Sequence, residues 1–277
     1  MSRTPQSRCY LIDIEGVLVR DKRYEPVPGS VAWFNGLGDK GCGRILVSNN
    51  TTHAPEDLAS ALRGVGFAVA PEDLVTALAV GARLLEGWGK TRILWLGSPG
   101  MADWWREAGF TLVTGGRCDA VVLGANPDLG PSDLQGALAA LLDHDAELVA
   151  LHRNMFYLDG RGERRFGPGF ACAGLSGVAR RDPVVVGKPQ ERIYRQALEK
   201  IGGRAEEALF ISDDPVNDLV TAKKLGMTTA FVLSGKYPDH AVLGRMDQQD
   251  WPDIIADTPA AIDAAESGTG GATMDGE

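Results

Sequence analysis

The sequence predicts an α/β protein built on a mainly parallel sheet. Three observations predict it. Short apolar runs of strand length alternate with longer amphipathic runs along most of the 277 residues, which is the order that βα units produce. The short runs are continuously apolar rather than alternating, as strands buried on both faces are. Several of them end in acidic, amide or hydroxyl residues, at the edge where open parallel sheets bind ligands.

The first run, Cys9-Tyr10-Leu11-Ile12, leads into Asp13-Ile14-Glu15-Gly16-Val17-Leu18. Asp13 and Glu15 are two apart, so in an ideal strand they share a face. Two acids on one face repel unless a cation or proton lies between them. The stretch is therefore either a metal-assisted site with Asp13 as nucleophile or an acidic turn after a core strand. Pro28-Gly29-Ser30 opens an amphipathic run through Leu37, and Arg44–Ser48 reads as the second buried strand. It ends in Ser48-Asn49-Asn50-Thr51-Thr52, a polar cluster that also suits a helix cap before a helix over Ala54–Arg63. A single helix is expected from Pro71 to about Leu85.

A second alternation follows. Strands are expected at Arg92–Leu96, Thr111–Val113, Ala120–Leu123 and Leu148–Leu151, and helices at Pro99–Ala108 and Pro131–Asp143. The polar and aromatic stretch His152–Tyr157 is either a pocket lining or an edge strand, and Gly167-Pro168-Gly169 turns into a helix through Val178. Pro183–Val186 reads as a buried strand running into Gly187-Lys188-Pro189, with a helix over Glu191–Ile201 after it. Lys188 there is either a snorkelling surface cation or a charge aimed at an anion. Ala208–Ser212 is a strand ending in Asp213-Asp214, with Asp218 five residues after Asp213, then a helix over Val216–Leu225 and a strand over Thr228–Leu233. Ile254-Ile255 is a last short strand, Pro259–Glu266 a last helix, and the Gly-rich segment 267–277 is expected to be disordered.

Hydrophobic residues make up 44% and charged residues 23%, ordinary values for a globular chain. The length suits one large or two ordinary domains. A net charge of −9 argues against nucleic acid or an anionic membrane as the main partner. No apolar run approaches bilayer-spanning length, and Met1–Arg8 has no signal-like apolar stretch, so a cytoplasmic protein is expected. The four cysteines and four histidines are scattered, which argues against a zinc site or a disulfide framework.

Four strand ends thus carry Asp13/Glu15, Ser48/Asn49, Lys188 and Asp213/Asp218. Carboxylates hold a hard divalent cation, while a hydroxyl, amides and a lysine neutralise phosphate oxygens. That is sufficient equipment for phosphoryl transfer, which rests on positioning and charge neutralisation. The stretches Asp13-Ile14-Glu15-Gly16-Val17-Leu18, Val47-Ser48-Asn49-Asn50, Val186-Gly187-Lys188-Pro189, Ser212-Asp213-Asp214 through Asp218, and Ser234-Gly235-Lys236-Tyr237 together resemble the haloacid dehalogenase-like phosphatases. The resemblance covers nearly the whole chain. It is nearest to the members with a large α/β cap inserted between the second and third motifs, the NagD-type phosphatases and the phospholysine phosphohistidine inorganic pyrophosphate phosphatase group.

The resemblance implies a Rossmann-like, doubly wound parallel core over 1–78 and 183–266, an α/β cap over 79–182 and a tail over 267–277. It implies Mg2+ as cofactor and a small phosphorylated metabolite as substrate. Asp13 would be the nucleophile and a metal ligand. Glu15 would take the general acid/base position and offer its carbonyl to the metal. Ser48, Asn49 and Lys188 would hold phosphate, Lys188 also pairing with the nucleophile. Asp213 would ligate the metal, with Asp218 a ligand or its support. In the cap, Arg153, Asn154 and Tyr157 are candidates for contacting substrate. The same resemblance carries a homodimer through the cap as one option, although core packing explains Trp88, Trp95, Trp104 and Trp105 as well.

Two residues depart from the family pattern. Glu15 stands where the family most often has Asp, and Ser212 where a Gly usually precedes the fourth-motif Asp, a change expected to tighten the turn without removing chemistry. Glu15 adds a methylene, and a displacement of about 1 Å can cost roughly 100-fold in rate. A phosphate- or metabolite-binding protein with weakened catalysis is therefore the alternative. A phospho-receiver switch also uses acids, a hydroxyl and a lysine, but needs no cap-sized insertion.

Overall fold

The computed structural model describes residues 9–20, 23–158 and 163–262. In chain order the elements are β1 (Cys9–Ile12), α1 (Ser30–Asp39), β2 (Arg44–Ser48), α2 (Pro55–Gly64), β3 (Leu74–Thr76), α3 (Ala77–Gly87), β4 (Arg92–Leu96), α4 (Ala102–Glu107), β5 (Thr111–Val113), β6 (Ala120–Leu123), α5 (Pro131–Asp143), β7 (Glu147–Ala150), β8 (Phe156–Leu158), β9 (Arg164–Phe166), α6 (Pro168–Ala179), β10 (Val184–Val185), α7 (Glu191–Ile201), β11 (Ala208–Ser212), α8 (Val220–Lys224), β12 (Thr228–Val232) and β13 (Ile254–Ala256). The alternation expected from the apolar runs is present, and the chain is an α/β protein. Two compact units divide it: Met1–Val47 with Ala61–Asp73 and Tyr194–Glu277, and Ser48–Ser60 with Leu74–Ile193.

In the first unit the strands pair in parallel in the order β13-β12-β11-β1-β2. The chain winds from β1 to β2 in one direction and from β11 through β12 to β13 in the other. The winding therefore reverses between β1 and β11, the place in an open parallel sheet where ligands bind beyond the C-terminal strand ends. The central strands are largely apolar and buried: Leu11 and Ile12 in β1, Leu209, Phe210 and Ile211 in β11, Ala230 and Phe231 in β12. Tyr194 packs edge-on against Phe210 at 5.2 Å.

The second unit has its own parallel sheet, ordered β10-β7-β6-β4-β5, and an antiparallel hairpin of β8 and β9. Its core gathers Leu94, Val121, Leu123, Leu141, Leu148, Cys172 and Leu175 from the strands, α5 and α6. Of the adjacent tryptophans, Trp105 is buried and Trp104 half-buried, the division expected for one core ring and one partly exposed ring.

Several expectations are corrected. The single helix from Pro71 is a one-turn helix at Pro71–Asp73, then β3, then α3. Leu74-Val75-Thr76 carries two β-branched residues, which favour extended backbone, and the Thr76 hydroxyl accepts from the Ala79 amide at 3.2 Å, starting α3 there. The apolar run Pro183–Val186 is a two-residue, half-buried edge strand, because it lies at the end of the second sheet and has a neighbour on one side only. The helix after Asp214 begins as a wide turn over Pro215–Leu219 before α8. In His152–Tyr157, His152 is buried, Arg153 to Phe156 are exposed, and Phe156–Leu158 is a hairpin strand. The helix at Pro259–Glu266 is described only through Ile262, beginning with a turn at Pro259–Ala261. The expected disordered tail, 267–277, lies outside the described residues. Among the described residues no helix is long and apolar enough to cross a membrane.

Candidate active site

The acids of the first unit stand at the reversal between β1 and β11. β1 ends at Ile12, so Asp13 and Glu15 lie in the loop after it and not on a strand face. The chain turns because Gly16 adopts a left-handed conformation, φ 80°, and the Gly16 amide donates to Val19 O at 2.7 Å. Glu15 is half-buried. Asp13 is 7% exposed, Asp213 8% and Asp218 5%, so three carboxylates are nearly removed from water. The Asp13 amide donates to Ile211 O at 2.9 Å, and Asp13 Oδ1 accepts from the Ile14 amide at 2.8 Å.

Ser212 ties the set together. Its hydroxyl donates to Asp218 Oδ2 at 2.7 Å and lies 3.5 Å from Asp13 Oδ2. A hydroxyl has one proton, so the short bond to Asp218 holds it, and the longer distance records proximity. The same oxygen accepts from the Asp214 amide at 3.1 Å. Asp218 offers its carbonyl to Tyr194 OH at 2.9 Å. Burial pushes the Tyr194 phenol well above its ordinary value, and the charges of Asp218, Asp13 and Asp214 push it further. One phenol thus senses three of the acids.

The two adjacent acids Asp213 and Asp214 have different partners. Asp213 Oδ2 accepts from the Lys236 amide at 2.6 Å. Asp214 Oδ2 accepts from the Lys236 ammonium at 2.6 Å and the Asn217 side-chain amide at 2.8 Å. Burial alone would raise the Asp214 carboxyl, but its bonds to Lys236 and Asn217 hold it below its ordinary value. Burial likewise opposes the Lys236 ammonium, yet the Asp214 bond keeps it above its ordinary value.

In the second unit, Asn49 and Lys188 come together, with Ser48 next to Asn49 in the chain. The Lys188 amide donates to Asn49 Oδ1 at 2.8 Å, and Asn49 Nδ2 donates to Lys188 O at 3.1 Å. This two-way bond joins loops 139 residues apart. Gly187 allows it, because a Cβ there would run into Asn49 Oδ1 and lie 2.7 Å from Leu151 O. Lys188 is 4% exposed, which excludes the snorkelling surface cation. Ser48 is buried and accepts from the Asn50 amide at 3.1 Å. Asn50 Oδ1 accepts from the Thr52 and His53 amides. The Thr51 hydroxyl accepts from the Ala125 amide at 2.9 Å. The polar cluster therefore closes a turn on itself ahead of α2 and links to the residues after β6.

Arg153 and Asn154 are exposed and Tyr157 half-buried. Their loop packs on the start of α6, where the Gly169 amide donates to Asn154 O at 3.1 Å and the Gly167 amide to Met155 O at 2.8 Å. The residues with the most connections at the first unit's acids, Ser212 and Lys236, had no role from the sequence. The signal for Lys236 was the one used elsewhere, a small polar cluster just past a strand end.

Comparison with known proteins fits this arrangement. A haloacid dehalogenase-like hydrolase model matches residues 10–111, and a HAD-hydrolase-like model matches 185–261. Chronophin from Mus musculus is 30% identical over 241 residues, covering 83% of this chain and 82% of its own. The ribonucleotide monophosphatase NagD of Escherichia coli K12 is 29% identical over 227 residues, covering 81% and 87%; its solved structure matches with a TM-score of 0.80 at 25% identity over 92% and 98%. A glycerol phosphate phosphatase from Mycobacterium tuberculosis, solved in complex with magnesium, matches with a TM-score of 0.78 at 28% identity over 91% and 75%. The fold and the acidic strand ends define a hydrolase of α/β type. The chain belongs to the haloacid dehalogenase-like hydrolases and, among them, to the NagD-type phosphatases.

Proposed function

We propose that this chain is a Mg2+-dependent phosphatase that hydrolyses a small phosphate monoester through a phosphoaspartyl intermediate on Asp13. The observation that carries the reading is the placement of two buried carboxylates, Asp13 and Asp218, on either side of the Ser212 hydroxyl at the reversal of a parallel sheet. Buried like charges at such spacing favour a cation among them. Among the described residues no three His, Cys, Asp or Glu side chains form a ready metal cage. Mg2+ does not need one, since it keeps waters and takes one or two carboxylates plus phosphate oxygens. The oxygen donors present fit it. Asp13, Asp213, Asp218 and the Glu15 carbonyl would hold it, and when bound it supplies positive charge to the phosphate oxygens.

The chain's own residues would work in two steps. A carboxylate oxygen of Asp13 attacks phosphorus, the ester P–O bond breaks, and Glu15 gives its proton to the leaving oxygen. Glu15 then takes a proton from water, whose oxygen attacks phosphorus and releases phosphate and Asp13. Ser48, Asn49 and Lys188 would hold the phosphate. The buried lysine and the rigid Asn49–Lys188 pair support that role. The core would comprise 1–78 and 183–266 and the cap 79–182, with Arg153, Asn154 and Tyr157 contacting substrate. A homodimer through the cap and a cytoplasmic setting belong to the same proposal. The relatives' names, a ribonucleotide monophosphatase and a glycerol phosphate phosphatase, support the class of small monoesters.

The test is phosphate release from a panel of monoesters, with and without Mg2+, from wild type beside Asp13→Asn. Metal-dependent release that vanishes in the variant is the expected result. No release from any compound by folded protein that binds Mg2+ would favour the second reading, a phosphate-binding protein weakened by Glu15.

A further inference from the structure

The loop after β12, Ser234-Gly235-Lys236, belongs to none of the steps above, yet it touches both acid-bearing loops of the first unit. The Ser234 hydroxyl donates to Gly16 O at 2.7 Å, across 218 residues of sequence. The Lys236 amide donates to Asp213 Oδ2, and the Lys236 ammonium takes Asp214 Oδ2. Gly235 lies between these contacts. A Cβ on it would strike Asp213 Oδ2 and lie 2.5 Å from Gly16 Cα. A Cβ on Gly16 would strike the same carboxylate oxygen. Asp213 Oδ2 is thus held in a slot walled by two glycines and closed by one amide.

We propose that this loop is a positioning clamp that sorts the two adjacent acids: it fixes Asp213 in one orientation for the metal and removes Asp214 from competition for it. A carboxylate side chain rotates freely unless packing and hydrogen bonds lock it, and ligand carboxylates are oriented by the groups behind them. The slot leaves Oδ2 committed to a backbone amide, which no side-chain replacement removes. Asp214 carries the same charge one residue away, and the Lys236 ammonium with Asn217 satisfies it locally. One residue therefore serves both acids, its amide one and its side chain the other. Ser234 anchors the clamp to the Gly16 turn, so the β1 and β11 loops are held through a third loop and not by direct contact alone. The inference rests on the Mg2+ reading of the site.

The test is isothermal titration of the intact protein with Mg2+, with the metal-free melting temperature measured alongside. Gly235→Ala adds one methyl group at the slot and changes no charge. It is expected to weaken Mg2+ binding by about 10- to 100-fold and, because the added Cβ would lie 2.5 Å from Gly16 Cα, to lower the metal-free melting temperature as well. Gly244→Ala, where an added Cβ meets nothing within 4 Å, is the matched control and is expected to bind as wild type. Ser234→Ala should weaken binding and Ser234→Thr restore it. Lys236→Met keeps the amide on Asp213 but releases Asp214, so it should change Mg2+ binding as well, and wild-type binding in this variant overturns the part of the clamp assigned to Asp214. Wild-type affinity in both Gly235→Ala and Ser234→Ala overturns the clamp. If Gly235→Ala does not fold, the Ser234 pair decides by itself. Absence of Mg2+ binding by wild type overturns the proposed function instead.

Discussion

Replacing Asp13 by Asn removes a negative charge while keeping the oxygen that accepts from the Ile14 amide. The fold should therefore survive and the nucleophile should not. Turnover is expected to fall by at least about 1,000-fold, measured as phosphate release, with an unchanged circular dichroism spectrum. Glu15 is one of the two residues where the sequence departs from the family pattern, and its effect is one of reach. Glu15→Asp shortens the side chain by one methylene and should raise kcat by about 10- to 100-fold if the present geometry is off by ~1 Å. A drop in kcat would instead mean that the surrounding loop is already fitted to Glu. Lys236 and Asp214 make a testable pH pair. Asp214 titrates below its ordinary value of 3.8, so its contribution is complete above that pH and is lost as pH falls through the folded value. Lys236 titrates above 10.5, so its contribution is complete below that pH and is lost as pH rises. The pair is half-exposed on the lysine side and contributes roughly 0.5 kcal/mol. Urea unfolding of Lys236→Met should show a deficit of that size near neutrality that closes below about pH 4.

At the scale of elements, apolar runs located most strands to within a residue or two. Continuous burial is written in composition, and a strand such as Ala120–Leu123 has no other use for four apolar residues. The run at Pro71–Leu85 was misread for a physical reason. Three residues are too few to show a strand's period, and the helix that follows supplied the stronger pattern. Thr76 marks the true boundary, since its hydroxyl caps α3. Thr76→Ala should cost about 1 kcal/mol, read as a shift in denaturation midpoint. A null effect would mean that buried packing of β3 alone sets the boundary. Val184-Val185 was misjudged in the other direction: its sequence is that of a central strand, but it pairs only with β7, and edge position is not written in four apolar residues.

For the whole molecule, the expectation is that ligand and fold are linked. A cation binding the folded acids and not the unfolded chain stabilises by about 2.7 kcal/mol at 100 times Kd. For a chain of this size that corresponds to roughly 5 °C or more in melting temperature. Saturating Mg2+ should produce this rise in wild type, and EDTA should reverse it. No shift in a scan that resolves 1 °C would count against a site made of Asp13, Asp213 and Asp218.

The class of fold, the polar residues at the strand ends and the family were legible in the amino-acid order alone. All three depend on local patterns: an apolar period, a polar residue at a run's end, a motif of a few residues. Tertiary structure decided which groups serve which. It divided Asp213 from Asp214 by giving each a different part of Lys236. It joined Asn49 to Lys188, set Ser212 between Asp13 and Asp218, and brought Ser234 to Gly16. Apart from the Ser212–Asp218 bond, six residues apart, these contacts span tens to hundreds of residues. Local propensity cannot encode them, because a residue's partner is chosen by how strands order within a sheet, and that order is settled only when the whole apolar core is buried at once.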